Sequence, residues 1–479
     1  VIRRLRHGWD RFWFAPLEAR AAAVFRIALG LLLVLWYLAA SAHWARWFGA
    51  GGVLSLGDPA VTTRPMDWWS PITWLDGVVP IDAWWWLGIL AAAGLAAGVC
   101  SRACAAVLFV LHTAIVHRNW AVANGEDLIL RLLCFYAMFA RLGTVWSLDR
   151  WRTGTAPPAE RWPIRLAQLT IALVYVFTQI NKLVWEPLWP AGNALYHVMA
   201  LTPWGRWPGP EPFLDPILAA AATWGSLALE LAFPFAVWVP RLRRFAVVAI
   251  VGLHAAIGAM VAGVGFFNLS MMVAALVFLT DRDLERLAAA CRRWWTRPDA
   301  VPPPRLVRWA VLGAAVYGVA TVVLVNVPTL LATGDGPAAA GARWLRRHAH
   351  YLALDGHWMM FGQLPREDWW LTVTAQRLDG RRIRLPHPLR LREPAVPLWL
   401  ADALEPKLDL NLIASQPHRE AYARHVCRML AARGTPARAV TLARQHRAIL
   451  EPAVARRRAD HHAAGVETQL LETVPCPVS

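Results

Sequence analysis

Hydrophobic residues in this chain are gathered into blocks. Before position 332 the apolar runs last roughly 16 to 24 residues, near the length that crosses the hydrocarbon core of a bilayer. Nine such runs predict membrane-spanning helices over residues 21–42, 83–100, 103–117, 127–143, 164–182, 217–238, 245–262, 265–280 and 308–331. Only Ser101-Arg102 separates the second from the third, which predicts a helical hairpin. The eighth is short and reads as tilted or partly re-entrant. The first, at about 20 residues, exceeds the apolar region of a cleaved signal peptide and reads as a span, although Ala40-Ser41-Ala42 offers a small-x-small site.

The pattern changes after residue 331. Leu371–Leu378 alternates with a period near two, Asp379-Gly380 follows, and Arg381-Arg382-Ile383-Arg384-Leu385 resumes. Asp-Gly between alternating runs is a two-residue hairpin signal, so a β-hairpin is predicted around 371–385. Residues 418–433 carry Ala421, Val426, Met429 and Leu430 at helical spacing. Val440–Gln445 and Val466–Val474 read as further strands. The predicted fold class is an all-α polytopic membrane helical bundle, residues 1–331, with a C-terminal extramembrane α+β domain, residues 332–479.

Composition agrees with that division. Hydrophobic residues make up 57% of the 479 and charged residues 17%, against about 25% charged in soluble domains. Trp68, Trp69, Trp84, Trp85, Trp120, Trp185 and Trp189 sit at block edges, where an indole meets lipid on one side and water on the other. The net charge of +17 is not read as a nucleic-acid signal, because no recognition motif accompanies it. The basic residues fall in loops instead. Arg3, Arg4, Arg6 and Arg11 put the N-terminus in the cytoplasm by the positive-inside rule. Alternation then gathers Arg102, Arg150, Arg152, Arg161, Arg241, Arg243, Arg244, Arg282, Arg286, Arg292, Arg293, Arg297 and Arg305 on the inner side. Loop 43–82 keeps only Arg46 and Arg64, and loop 183–216 only Arg206. Nine crossings put residues 332–479 outside. The six cysteines have no metal-binding spacing; a Cys427–Cys476 disulfide is open to the chain if the tail faces an oxidising compartment.

Polar groups inside spans are costly and are functional candidates by default. Lys182 closes the fifth run beside Asn181 and Gln179; it reads either as a snorkelling lysine or as a partly buried amine able to act as a base. Asn124, Glu126 and Asp127 open the fourth run, with Arg131 one turn on. They read either as a helix N-terminal cap with an Asp127–Arg131 pair or as substrate-positioning groups. His254 stands in the seventh run and Glu230 in the sixth. Arg26 in the first reads as ion-paired or snorkelling. His348, His350 and His357 lack a metal motif, and no phosphate loop or nucleophile elbow is present.

Four stretches, in order, carry a resemblance: Asn124-Gly-Glu-Asp-Leu-Ile-Leu-Arg131 leading to Gly143-Thr-Val-Trp-Ser-Leu-Asp149; Tyr175–Leu183 with Trp189 and Gly192; His254 with Gly265-Phe-Phe-Asn268; and Trp358-Met-Met-Phe361 leading to Asp379-Gly380. Over about residues 20–390 the chain resembles the vitamin K-dependent gamma-carboxylase family and, more closely, its bacterial relatives called HTTM (horizontally transferred transmembrane domain) proteins. The resemblance implies a bacterial plasma-membrane protein and a carbon–carbon lyase chemistry at the outer face. It also implies a reduced quinone, vitamin K or menaquinone hydroquinone, with O2 and CO2 as co-substrates, and a peptide or protein substrate. Lys182 matches the catalytic base, Glu126 and His254 accompany it, and Asn124, Asp127, Arg131, Asn181 and Trp358 are the implied substrate contacts. One position departs: Glu126 stands where the carboxylases carry a histidine. A non-enzymatic scaffold or export partner, and a small-molecule transporter, remain alternatives; the lack of visible inverted repeats weighs against the last.

Overall fold

The computed structural model describes residues 2–58, 69–123, 125–154, 159, 161–285, 304–326, 337–351, 361–385, 405–458 and 460–477. Asn124, Trp358, Trp68, His357, Cys291 and the basic residues between 286 and 297 lie outside them.

Each of the nine apolar runs coincides with a helix: α1 (Ala19–Ala40), α2 (Ile81–Ala97), α3 (Ser101–Arg118), α4 (Gly125–Phe139), α5 (Trp162–Trp185), α6 (Pro216–Ala236), α7 (Arg243–Met260), α8 (Gly265–Ala275) and α9 (Arg305–Asn326). Among the described residues, α1, α5, α6, α7 and a stretch of α9 are long and apolar enough to cross a membrane, while α2 and α8 are shorter apolar helices. The other two, α3 and α4, carry buried polar side chains: His112, His117 and Arg118 on one, Glu126, Asp127 and Arg131 on the other. The protein is a largely helical, multi-span membrane bundle with a C-terminal α+β region.

Helix α1 packs on α2 and α8, α3 on α4, and α5 on α4, α6 and α9. Small residues permit the closest approach. A Cβ added at Gly30 would fall 2.5 Å from the Ala96 nitrogen, so only glycine lets these two backbones meet there. Arg26, fully buried on α1, is neither ion-paired nor snorkelling. Its guanidinium donates to the carbonyls of Leu95 and Ala96 at 2.9 and 2.8 Å and to that of Trp146 at 2.6 Å. It thereby bonds carbonyls at the C-terminus of α2, where Leu95 also accepts from the Gly98 N–H.

The same corner explains the Trp146-Ser147-Leu148-Asp149 motif. Ser147 Oγ accepts from the Arg150 N–H and caps the short helix Leu148–Thr153. Asp149 accepts from the Cys100 N–H at 2.6 Å, in the turn between α2 and α3. The motif therefore fastens the α2–α3 hairpin to the α4–α5 connection. Asp281, after α8, accepts from the Arg20 and Ala21 N–H groups at the N-terminus of α1, and Glu18 accepts from Arg161. These connections share one end of the bundle.

The C-terminal region is built on a four-stranded antiparallel sheet, order β2-β1-β3-β4, of β1 (Glu367–Arg377), β2 (Arg382–Leu385), β3 (Ala437–Ala448) and β4 (Glu467–Pro475). Asp379-Gly380 lies in the turn between β1 and β2, with Gly380 at φ +85°, where a glycine is free of the Cβ penalty. Helices α10 (Pro337–Tyr351), α11 (Glu405–Ala414) and α12 (Gln416–Ala432) belong to the same region, with a short helix Pro452–Arg458 between β3 and β4. Helix α12 packs on β3 and β4, and a Cys427–Cys476 disulfide ties it to the chain beyond β4.

The sheet region docks on the opposite end of the bundle. Arg424 pairs with Asp58 at 2.6 Å, Asn411 donates to the Ala121 carbonyl, and Tyr196 donates to the Leu450 carbonyl. Buried Asp368 accepts from both the Thr202 N–H and hydroxyl and from Arg447. Three connections, α1–α2, α3–α4 and α5–α6, thus meet the same C-terminal region.

Candidate functional site

Helix α5 presents Tyr175, Thr178, Gln179 and Lys182 on one face, because residues three, four and seven apart share a helical stripe. That face meets Glu230 of α6. Lys182 Nζ donates to Glu230 Oε2 at 2.5 Å, and the Gln179 amide donates to the same oxygen. Only 3% of Lys182 is exposed, so its ammonium does not reach bulk water as a snorkelling lysine's would. It also sits 4.5 Å from the Trp189 ring centroid, a cation–π contact.

Two turns back from Lys182 on α5, Tyr175 meets His254 of α7. The Tyr175 hydroxyl is 2.7 Å from His254 Nε2, and His254 Nδ1 is 2.8 Å from Asn268 Oδ1 on α8. The Asn268 amide donates in turn to the Val264 carbonyl. With Asn268 oriented that way, its oxygen accepts from Nδ1–H, so Nε2 is left to accept from the tyrosine. The order of donors runs Tyr175 to His254 to Asn268.

Both groups line one cavity of about 480 Å³. Its walls are mostly apolar, supplied by α5, α6, α7, α8 and the short helix Ala194–Ala200, and its polar members include Lys182, Glu230, Tyr175, His254 and Asn268. Phe361, from the chain leading into the sheet, forms part of the wall at φ +54°. Trp189 Nε1 donates to its carbonyl at 2.8 Å. Just beyond α5, buried Glu186 accepts from the Leu188 and Leu364 N–H groups and from Arg366. Burial alone would raise the Glu186 carboxyl; Arg366 and the two N–H groups outweigh it and hold it below the usual range. The clasp therefore stays ionised and pins residues 361–366 over the cavity.

A domain model for HTTM matches residues 14–282, more than half of the chain. The chain belongs to the HTTM family. No curated protein and no solved structure matches it. The HTTM match takes in α1 to α8, and with them Lys182, Glu230, Tyr175, His254 and Asn268; Phe361 and the sheet lie beyond it.

The structure brings Lys182 and His254 together and sets Glu126 and Asp127 elsewhere. Asp127 Oδ1 lies 3.0 Å from His112 Nε2, and the edge of the His112 ring meets Trp36 at 4.7 Å. Glu126 is buried near Lys407 of α11, whose ammonium is lowered by burial, an effect the Glu126 charge opposes. Arg131 is buried one turn along α4. Neither acid lines the Lys182 cavity. Asn181 turns away from it too, with its amide on the Phe177 carbonyl at 3.0 Å. Asn124 and Trp358 lie outside the described residues. Sequence reasoning missed His112, which sits mid-run with only Thr113 as a polar neighbour and no charged residue beside it. It also missed Gln179 as a direct partner of Glu230, and Asn268 as the partner of His254. Among the described residues no group of three or more His, Cys, Asp and Glu side chains could hold a metal ion.

Proposed function

We propose that this HTTM protein is a membrane enzyme that moves protons on a lipid-soluble substrate held in the Lys182 cavity. The observation carrying this reading is the convergence of Lys182–Glu230 and Tyr175–His254–Asn268 on one apolar-walled chamber. A lysine base must be a free amine when it acts. Glu230, 2.5 Å away, supplies the means: a proton passed from Lys182 to Glu230 gives an amine beside a carboxylic acid and removes two buried charges. The amine then takes a proton from the substrate, and the Tyr175 oxygen, whose own proton is spent on His254, accepts a hydrogen bond from the substrate at the far side of the chamber. Trp189 and Phe361 exclude water, which strengthens each electrostatic contact.

The finer reading is gamma-carboxylase-like. An apolar chamber with a few convergent polar groups fits the ring and tail of a reduced quinone, with Lys182 and Tyr175 toward its oxygens. When bound, such a hydroquinone supplies, with O2, the strong base that a glutamyl carboxylation with CO2 requires. Glu126 and Asp127, outside the chamber, are then structural groups of the α3–α4 pair rather than catalytic ones. We further propose nine crossings in a bacterial plasma membrane, with the N-terminus cytoplasmic and residues 332–479 an extracytoplasmic domain. The C-terminal region's contacts with the α1–α2, α3–α4 and α5–α6 connections support that alternation, and its disulfide suits an oxidising side.

The test supplies purified protein with reduced menaquinone, labelled bicarbonate and a glutamate-containing peptide. Quinone oxidation and label incorporation, both abolished in Lys182→Ala, are expected. Oxidation without label keeps the proton-transfer reading and removes carboxylation; neither product, with Lys182→Ala equally inert, overturns the carboxylase reading.

A further inference from the structure

A second cavity, of about 410 Å³, lies between α4, α5 and α9. It shares no wall residue with the Lys182 chamber. Its existence follows from the sequence of α9. Ala310, Ala314 and Gly318 recur every four residues and face α5, where larger residues would close the gap. A Cβ added at Gly318 would meet nothing within 4 Å. The space runs alongside α5 from Trp162 to Leu173, a rise of roughly 16 Å at helical pitch.

The cavity is not uniformly apolar. On one wall the Tyr136 hydroxyl and Thr170 Oγ1 are hydrogen-bonded at 2.7 Å. On the α9 wall Tyr317 and Thr321 are close neighbours one turn apart, yet neither hydroxyl makes a hydrogen bond of acceptable geometry. Thr321 is only 3% exposed. A buried hydroxyl left unsatisfied costs free energy, and at hydrocarbon depth water is scarce as a partner. None of the residues lining the cavity is charged.

From these features we infer that the α4–α5–α9 cavity binds an uncharged, single-chain membrane lipid whose head is a hydroxyl or carbonyl, held by Thr321 and Tyr317. Length comes from the elongated space and access from the lipid around α9. Charge is excluded because no counter-ion is present in the wall. The size excludes a whole two-chain phospholipid. The head group completes the hydroxyl pair, and the Tyr136–Thr170 pair offers a further donor or acceptor to the same ligand.

The test uses the full chain in zwitterionic nanodiscs with three photoactivatable probes: a diazirine-bearing hexadecanol, the matching alkane and the matching fatty acid. Crosslinked peptides are mapped by mass spectrometry. The alcohol is expected to label α4, α5 and α9 about fivefold more than the alkane, the factor of one buried hydrogen bond. Thr321→Val combined with Tyr317→Phe is expected to bring the alcohol down to the alkane's level while the alkane is unchanged. Gly318→Phe, which fills the space, is expected to abolish labelling by both, and Val316→Phe, on the exposed side of α9, to leave it intact. Should Gly318→Phe not fold, Ala314→Leu serves the same purpose. Equal labelling by alcohol and alkane in the unaltered protein overturns the inference. So does labelling by the fatty acid as strong as by the alcohol, or labelling that survives filling of the cavity.

Discussion

Lys182 and Glu230 illustrate what a buried pair demands of each partner. Removing either one strands the other in an apolar wall, at about 3–5 kcal/mol. Glu230→Leu and Lys182→Met are each expected to lower the unfolding temperature in detergent, and the double substitution to lose less than their sum. Strict additivity in that double-mutant cycle would mean the pair is not coupled. Histidines outside the spans give a pH signature. Burial lowers His197 and His425 to about 4, from an ordinary value near 6.5. The unfolded chain therefore binds protons that the folded one refuses, and stability falls as pH drops from about 6.5 to about 4. The slope is about 1.4 kcal/mol per pH unit for each group. Unfolding monitored across that window is expected to flatten by one group's share in His197→Phe. The polar groups within the apolar runs around 124–131 and 175–183 are legible as special because charge is expensive among apolar residues. Their separation into different clusters is not, since helix-to-helix neighbours depend on packing that one-dimensional spacing does not encode.

At the scale of elements, length of apolar run was enough to find the helices of the bundle, and alternation with Asp379-Gly380 was enough to find the β1–β2 hairpin. Helices α10 and α11 and the amphipathic helix Ile2–Phe14 escaped notice, because their stripes are narrow and interrupted by charges. The α1–α2 contact gives a sharp prediction. Gly30→Leu drives a side chain into the Ala96 backbone and is expected to destabilise the bundle by about 3 kcal/mol or to prevent its assembly; size-exclusion profiles and melting in detergent would read this. A Gly30→Leu protein that melts as the unaltered chain does would contradict the close approach. Arg26→Leu removes a buried donor from the Ala96 and Trp146 carbonyls, while Leu95 keeps the Gly98 N–H, and is expected to cost about 2–4 kcal/mol. Arg26→Lys is expected to restore only part, since one ammonium cannot spread as a planar fork does.

For the whole molecule, the docking of the sheet region on the bundle is concentrated in a few buried charges. Asp368 holds Thr202 of the bundle and Arg447 of β3 at once. Asp368→Ala is expected to loosen the region and speed proteolysis after residue 331, with the bundle's own melting little changed. Unaltered cleavage rates would show that the contact carries no docking energy. A cysteine introduced at the exposed Arg382 of β2 is expected to react with a membrane-impermeant maleimide in intact cells, and one at Arg241 only after permeabilisation; the reverse pattern would invert the proposed topology.

Phe361, Leu364 and Arg366 are joined to Trp189 and Glu186 across about 175 positions of sequence. A ribosome delivers α5 and its lysine long before it delivers Phe361. For that interval the nascent bundle carries Lys182 in a chamber that lacks its Phe361 wall. Closure waits until the downstream segment is made and folded. Closure of this chamber is thus tied to the completion of synthesis, and a chain stopped short of residue 361 would insert its helices yet leave the chamber without that wall.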